Sequence, residues 1–164
     1  MALVQRSFSV LEPAPRVWAA LADFSGWSRL LTMKDARAKG WGNRFLPRAR
    51  PAAGVALDML YDAQPMQDWV VEAWTPPERM SLSSRRWLGP PGYAMASRLS
   101  VALRASSPVE TLVGLELESR FCAVPWSPIL NLITPLRREL RLLLAGMEDG
   151  LVQLLSERSP SQPA

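Results

Sequence analysis

The chain has 164 residues, enough for one domain with a sizeable core, and its 48% hydrophobic against 21% charged residues excludes an intrinsically disordered protein. It contains no histidine and a single cysteine, Cys122, which excludes Ser-His-Asp and Cys-His nucleophile systems, histidine- or thiolate-held zinc, and an internal disulfide. The net charge of +4 comes mostly from arginines spread along the chain, not from the concentrated basic stripe that nucleic acid requires.

The N-terminal "MALVQRSFSV" lacks the basic segment and long apolar run of a secretory signal, so the expected location is cytoplasmic. No window approaches the roughly 18 uninterrupted apolar residues of a bilayer span, and no stable membrane insertion is expected. Residues 3–11 alternate, with Val4, Phe8 and Val10 on one face, and predict a half-buried strand despite Arg6 on the apolar side. "EPAPR" ends it. Pro15 then suits the first turn of a helix, in which Val17, Trp18, Leu21 and Ala22 share one face. Asp23 or Ser25 caps a second short helix entered at Gly26.

Residues 34–54 carry turn residues and predict a strand or two between loops. Next, "VALDMLYDA" places Val55, Leu57, Met59 and Tyr61 on one face and Asp58 and Asp62 on the other. "MQDWVVEAW" and "MSLSSRRWL" read as strands closed by "TPPER" and "GPPG". The two longest alternating runs, 93–105 and 109–121, predict a hairpin turning near Ser107 and Pro108, with Arg98 near Glu116 and Arg104 near Glu110 on the solvent face. Tyr93, Met95, Leu99, Val101 and Leu103 then face inward with Val113, Leu115, Leu117 and Phe121.

Ser127-Pro128 and Thr134-Pro135 both read as a cap followed by a first-turn proline. From there an apolar stripe runs through Ile129, Leu132, Ile133, Leu136, Leu140, Leu143, Leu144, Met147, Leu151, Leu154 and Leu155. This is a long amphipathic helix, with Pro135 kinking it or setting a short turn apart. Residues 1–157 are expected to form one domain and 158–164 a mobile polar tail.

Strand, two short helices, about six further antiparallel strands and a long last helix is the order of the helix-grip fold, an α+β architecture in which a curved sheet of about seven strands wraps the C-terminal helix. Three stretches carry a family resemblance. "APRVWAALADFSGW" resembles the first-helix signature of the START-like superfamily, also called SRPBCC; "VVEAWTPPERMSLSS" resembles its strand, proline turn and strand; and "PLRRELRLLLAGMEDGL" is similar to its terminal helix. The nearest branch by these motifs is the bacterial polyketide cyclase/dehydrase and lipid-transport group, which shares the fold with birch-pollen-allergen-like and coenzyme-Q-binding proteins.

The resemblance implies a cavity between sheet and helix, an apolar or aromatic small-molecule ligand such as a lipid, quinone or polyketide-like compound, and no cofactor or metal. The expected lining is Leu57, Met59, Trp69, Met95, Leu117, Phe121, Leu132, Leu136 and Leu140, with Trp41 as a lid aromatic from a Gly-flanked loop. Tyr61 and Tyr93 are the candidate polar handles. Arg86 shares strand parity with Met80 and Leu82 and is aimed inward unless a bulge shifts the register, where it would select an anionic oxygen. Trp18 is expected as a core anchor and Trp27 nearer the pocket mouth. A cyclase, aromatase or dehydratase of the same fold is the alternative to a binding protein, but Asp58, Asp62, Asp68, Glu72, Glu116 and Glu118 all tend outward. A third possibility is a protein-interaction module, with a filled interior and an exposed apolar patch. Oligomeric state is left open.

Overall fold

The computed structural model describes residues 1–30, 43–61, 63–89, 94–122, 125, 127–133 and 135–157. Seven strands form one antiparallel sheet: β1 (Ala2–Val10), β2 (Asn43–Pro47), β3 (Ala56–Tyr61), β4 (Gln64–Thr75), β5 (Arg79–Trp87), β6 (Met95–Ser107) and β7 (Glu110–Phe121). Their spatial order is β1-β7-β6-β5-β4-β3-β2, so the first two strands in sequence occupy opposite edges. The chain between them must cross one end of the sheet. It begins that crossing as α1 (Ala14–Ala22), a 3-10 turn (Phe24–Gly26) and α2 (Trp27–Leu30).

The start of α1 follows from Pro13 and Pro15, whose missing N–H groups fall where a helix needs none. The Asp23 carboxylate accepts the Ser25 N–H at 3.2 Å and caps the 3-10 turn. The C-terminal end of α1 is satisfied from a distance: the Trp27 indole N–H donates to the Leu21 carbonyl at 2.7 Å.

The β6/β7 hairpin turns at Pro108 and Val109, with Ser107 opposite Glu110. Arg98 faces Glu118 and Arg104 faces Leu112, two residues away from the expected pairing. The slip is even, so every side chain keeps its expected face. An irregularity between Ala105 and Ser107 accounts for part of the shift. Arg98 bonds instead to Glu72 of β4, at 3.0 Å.

Pro135 divides the last helical region into α3 (Ser127–Ile133) and α4 (Leu136–Glu157). On α4 the residues Leu136, Leu140, Leu144, Met147, Leu151, Leu154 and Leu155 are buried, as the stripe predicts. Leu132 is not part of that face: at 84% exposure it points to solvent from α3, whose direction is set separately. α4 lies close to β1, β7, α1 and α2, while among the described residues it makes no comparable approach to β3, β4, β5 or β6. Arg6, on the inward side of edge strand β1, reaches Glu148 of α4 and ties the two together.

Candidate functional site

Cross-strand register sorts the concave face into rows, and the rows locate the site. Under α1 and α2 the interior is full. There Trp18 stacks edge-on to Trp74 with centroids 4.9 Å apart, Trp74 meets Phe24 at 6.1 Å, Phe24 meets Trp27 at 5.0 Å, Trp27 meets Phe45 at 5.6 Å, and Phe45 meets Trp69 at 5.9 Å. Edge-to-face pairs contribute about 0.5–1.5 kcal/mol each beyond their buried area. Trp18 is the core anchor expected. Trp27 is fully buried in the plug and not near a mouth, because its N–H is committed to the Leu21 carbonyl beneath it.

The middle of the face is also closed. Val71, Leu82, Leu99, Leu117 and Val4 lie side by side across five strands, all buried. Toward the opposite end the next row changes character. Leu57 and Trp69 lie beside Ser84, followed by Ser97 and Ser119, whose hydroxyls are 2.8 Å apart. Ser84 Oγ accepts the Ser97 N–H at 2.7 Å, substituting for the ladder where β5 and β6 part beyond Ser83.

The outermost row starts at buried Phe45 on β2, opposite Met59, and is apolar apart from one buried amide. Met59, Gln67 and Trp87 are register neighbours on β3, β4 and β5; Met95 and Phe121 are neighbours on β6 and β7. Gln67 joins the two groups, its Nε2 donating to the Met95 carbonyl at 2.6 Å across the interior. Met59, Met95 and Phe121 are partly exposed, as is Leu143 of α4. A Cβ built on Gly146, one turn along α4 from Leu143, would meet nothing within 4 Å. Here several partly open apolar side chains fall close together, whereas Phe8 and Trp74 are partly open elsewhere on the concave face.

One atom in this region is unsatisfied. Trp69 is 6% exposed, and its indole Nε1 is the only buried side-chain nitrogen or oxygen without a hydrogen-bond partner among the described residues. Such a donor costs roughly 1–3 kcal/mol while it stays unpaired.

The candidate residues therefore separate. Leu57, Trp69, Leu117, Leu136 and Leu140 are buried in the interior, and Met59, Met95 and Phe121 line its open end. Tyr61, 39% exposed, sits at the end of β3, where a register shift after Met59 carries it to the rim. Arg86 is turned outward: Arg85 is an extra residue between the pairs Trp69/Ser84 and Asp68/Arg86, so parity flips and Arg86 lies beside Asp68 on the convex face. Trp41 and Tyr93 lie outside the described residues, as does Asp62. Gln67 was not anticipated, although its parity with Trp69 and Val71 in "MQDWVV" carried the signal.

Apart from the inward Arg6–Glu148 pair, the charged pairs beside β3, β4 and β6 lie on the convex face. Arg48 Nε donates to both Asp58 oxygens at 3.1 Å, which holds the Asp58 carboxyl below its ordinary range and raises the guanidinium. The Ser83 hydroxyl donates to Glu72 at 2.6 Å, and together with Arg98 it lowers that carboxyl also. Glu116 accepts from Gln5 at 2.7 Å. No cluster of His, Cys, Asp and Glu suited to a metal occurs among the described residues, nor is any described helix long and apolar enough to cross a membrane.

This arrangement of one antiparallel sheet, short helices after the first strand and a long last helix superimposes on solved structures. A START superfamily protein from Mycobacterium smegmatis superimposes with a TM-score of 0.63 at 14% identity, over 96% of this chain and 99% of that one. The chain has the START-like helix-grip fold. A protein from Mesorhizobium loti matches this chain at TM-score 0.66 and 18% identity, over 96% and 99% of the two chains. Norcoclaurine synthase from Thalictrum flavum, in complex with dopamine and hydroxybenzaldehyde, matches at 0.62 and 11%, over 97% of this chain and 88% of that one. No protein-family model matches the sequence, and no curated protein matches it.

Proposed function

We propose that the chain binds a hydrophobic small molecule carrying a hydrogen-bond acceptor, at the open end of the grip between β3–β7 and α4. The observation that carries this reading is the unpartnered indole N–H of Trp69, one row beneath the half-open apolar rim. A buried donor with no partner is rare, and a ligand carbonyl or ether oxygen supplies what it lacks. Met59, Trp87, Met95 and Phe121 provide apolar contact, at about 25 cal/mol per Å² of apolar surface removed from water. Reaching Trp69 requires the rim side chains to move, which flexible methionines allow. Lipids, quinones and polyketide-like molecules all carry such an oxygen on an apolar body.

Binding is favoured over a cyclase, aromatase or dehydratase reaction. Proton transfer needs a titratable group against the substrate, and Asp58, Asp68, Glu72 and Glu116 lie on the convex face, bonded to Arg48, Arg98 and Gln5. A matched pair of probes tests the reading. 2-Acetylnaphthalene and 2-ethylnaphthalene have nearly the same shape, and tryptophan quenching follows both. Binding of both is expected, with the ketone tighter by roughly tenfold and that advantage lost in Trp69→Phe. If neither probe binds at micromolar concentration and native mass spectrometry finds no copurified ligand, the reading fails.

A further inference from the structure

We infer that Gln67 selects, within the ligand cleft proposed above and resting on that proposal, molecules that carry a neutral hydrogen-bond donor behind their acceptor oxygen. Gln67 is 3% exposed and shares the concave face of β4 with Trp69, two residues nearer the rim and about 7 Å away along the strand. Its amide is only half used. Nε2 donates to the Met95 carbonyl, a group that can only accept, and this fixes which branch of the amide carries the oxygen. Oε1 takes no donor among the described residues. The hydroxyls one row deeper bond within their own row: Ser84 accepts the Ser97 N–H, and Ser97 pairs with Ser119. Unlike the Trp69 nitrogen, Oε1 is not cut off from accessible space. Gln67 points to the concave face, so that space belongs to the cleft.

The two β4 side chains make opposite demands in order of depth. Gln67 offers an acceptor at the rim, and Trp69 offers a donor one row further in. A ligand that meets both leads with a carbonyl or ether oxygen and carries a hydroxyl or amide N–H on the apolar body behind it. That donor is uncharged. An ammonium group would need a carboxylate beside it, whereas Asp58, Asp68, Glu72 and Glu116 lie on the convex face and Glu148 is bonded to Arg6. Hydroxyaryl ketones and hydroxylated lipids fit this order. Quinones do not, because their oxygens only accept, and turning the amide to serve them would strand the Met95 carbonyl.

Tryptophan quenching by 6-acetyl-2-naphthol and by its methyl ether, at a pH well below the naphthol's own pKa, tests the assignment. Both probes carry the ketone, and only the naphthol carries the donor. A rim without a free acceptor ranks the ether first, since its methyl group adds apolar contact. The parent is expected to reverse that order and bind the naphthol roughly tenfold tighter. The Gln67 side-chain amide resonances of isotope-labelled protein should also shift further with the naphthol than with the ether. Gln67→Met keeps the length of the side chain but not its oxygen, and should put the ether first; Trp69→Phe should leave the naphthol first. Gln67→Met also frees the Met95 carbonyl, so the parent's ranking and resonance shifts decide the matter if that variant loses its cleft. The assignment is overturned by an ether that binds the parent as well as the naphthol does, or by a naphthol preference that survives Gln67→Met. Either result leaves the preference for 2-acetylnaphthalene over 2-ethylnaphthalene standing, whereas failure of every probe to bind refutes the ligand cleft and this assignment together.

Discussion

Replacing Trp69 with phenylalanine is an unusual core substitution because it is expected not to destabilise the empty protein. The indole is 6% exposed, packs edge-on to Phe45 at 5.9 Å, and holds a donor with no acceptor. Removing that N–H recovers roughly 1–3 kcal/mol of unmet desolvation. The smaller ring forfeits roughly 1 kcal/mol of burial at about 25 cal/mol per Å², and the aromatic contact to Phe45 persists. The balance lies between neutrality and a gain of about 2 kcal/mol. Urea unfolding followed by far-ultraviolet circular dichroism reads the difference, since a slope near 2 kcal/mol/M turns 1 kcal/mol into a midpoint shift of about 0.5 M. A loss exceeding about 2 kcal/mol would mean that the indole N–H already has a partner in the folded chain, and the argument from an orphaned donor would collapse.

Trp27→Phe, the same exchange at a satisfied position, should cost about 1–3 kcal/mol, because it strands the Leu21 carbonyl at the end of α1; equal midpoints for the two variants would contradict the hydrogen-bond assignments. Gln67→Leu should lower stability by about 1–2 kcal/mol and speed amide exchange around Met95, whose carbonyl loses its donor; unchanged exchange there would show that the cross-interior bond does not hold the rim. Asp58 and Glu72 both have folded-state pKa values below their ordinary ones, so their contribution is present above the unfolded values and lost as pH falls through the folded ones. Acid titration of stability between about pH 5 and pH 2 should therefore be shallower in a variant carrying Arg48→Gln and Glu72→Gln, and an identical profile would refute the assignment.

The fold was legible because its periods are clean. Alternation in β6 and β7 fixes faces even when register slips by two, and the α4 stripe continues through six turns of helix. The site was less legible because one inserted residue reverses parity. Arg85 does this to Arg86, and the shift after Met59 moves Tyr61 to the rim. Leu132 fits the α4 stripe by spacing, yet Asn131 fixes α3 against the end of β7 and turns that leucine outward. Trp27 lies far deeper than its surroundings in sequence imply, since depth depends on Phe24, Phe45 and Leu21 closing around it. The orphaned Trp69 donor has no sequence signature at all: it is defined by what the neighbouring residues fail to offer.

The aromatic chain beneath α1 and α2 has a consequence for how such a molecule can change over evolutionary time. Cohesion is concentrated in rings from Trp18 to Phe45, whereas the proposed ligand contour is set by Met59, Trp87, Met95 and Phe121. The two groups meet where Phe45 of β2 lies opposite Met59 of β3, and substitutions away from that seam combine almost independently. On the proposed function, selectivity can thus drift at the rim away from that seam while the plug keeps the architecture intact.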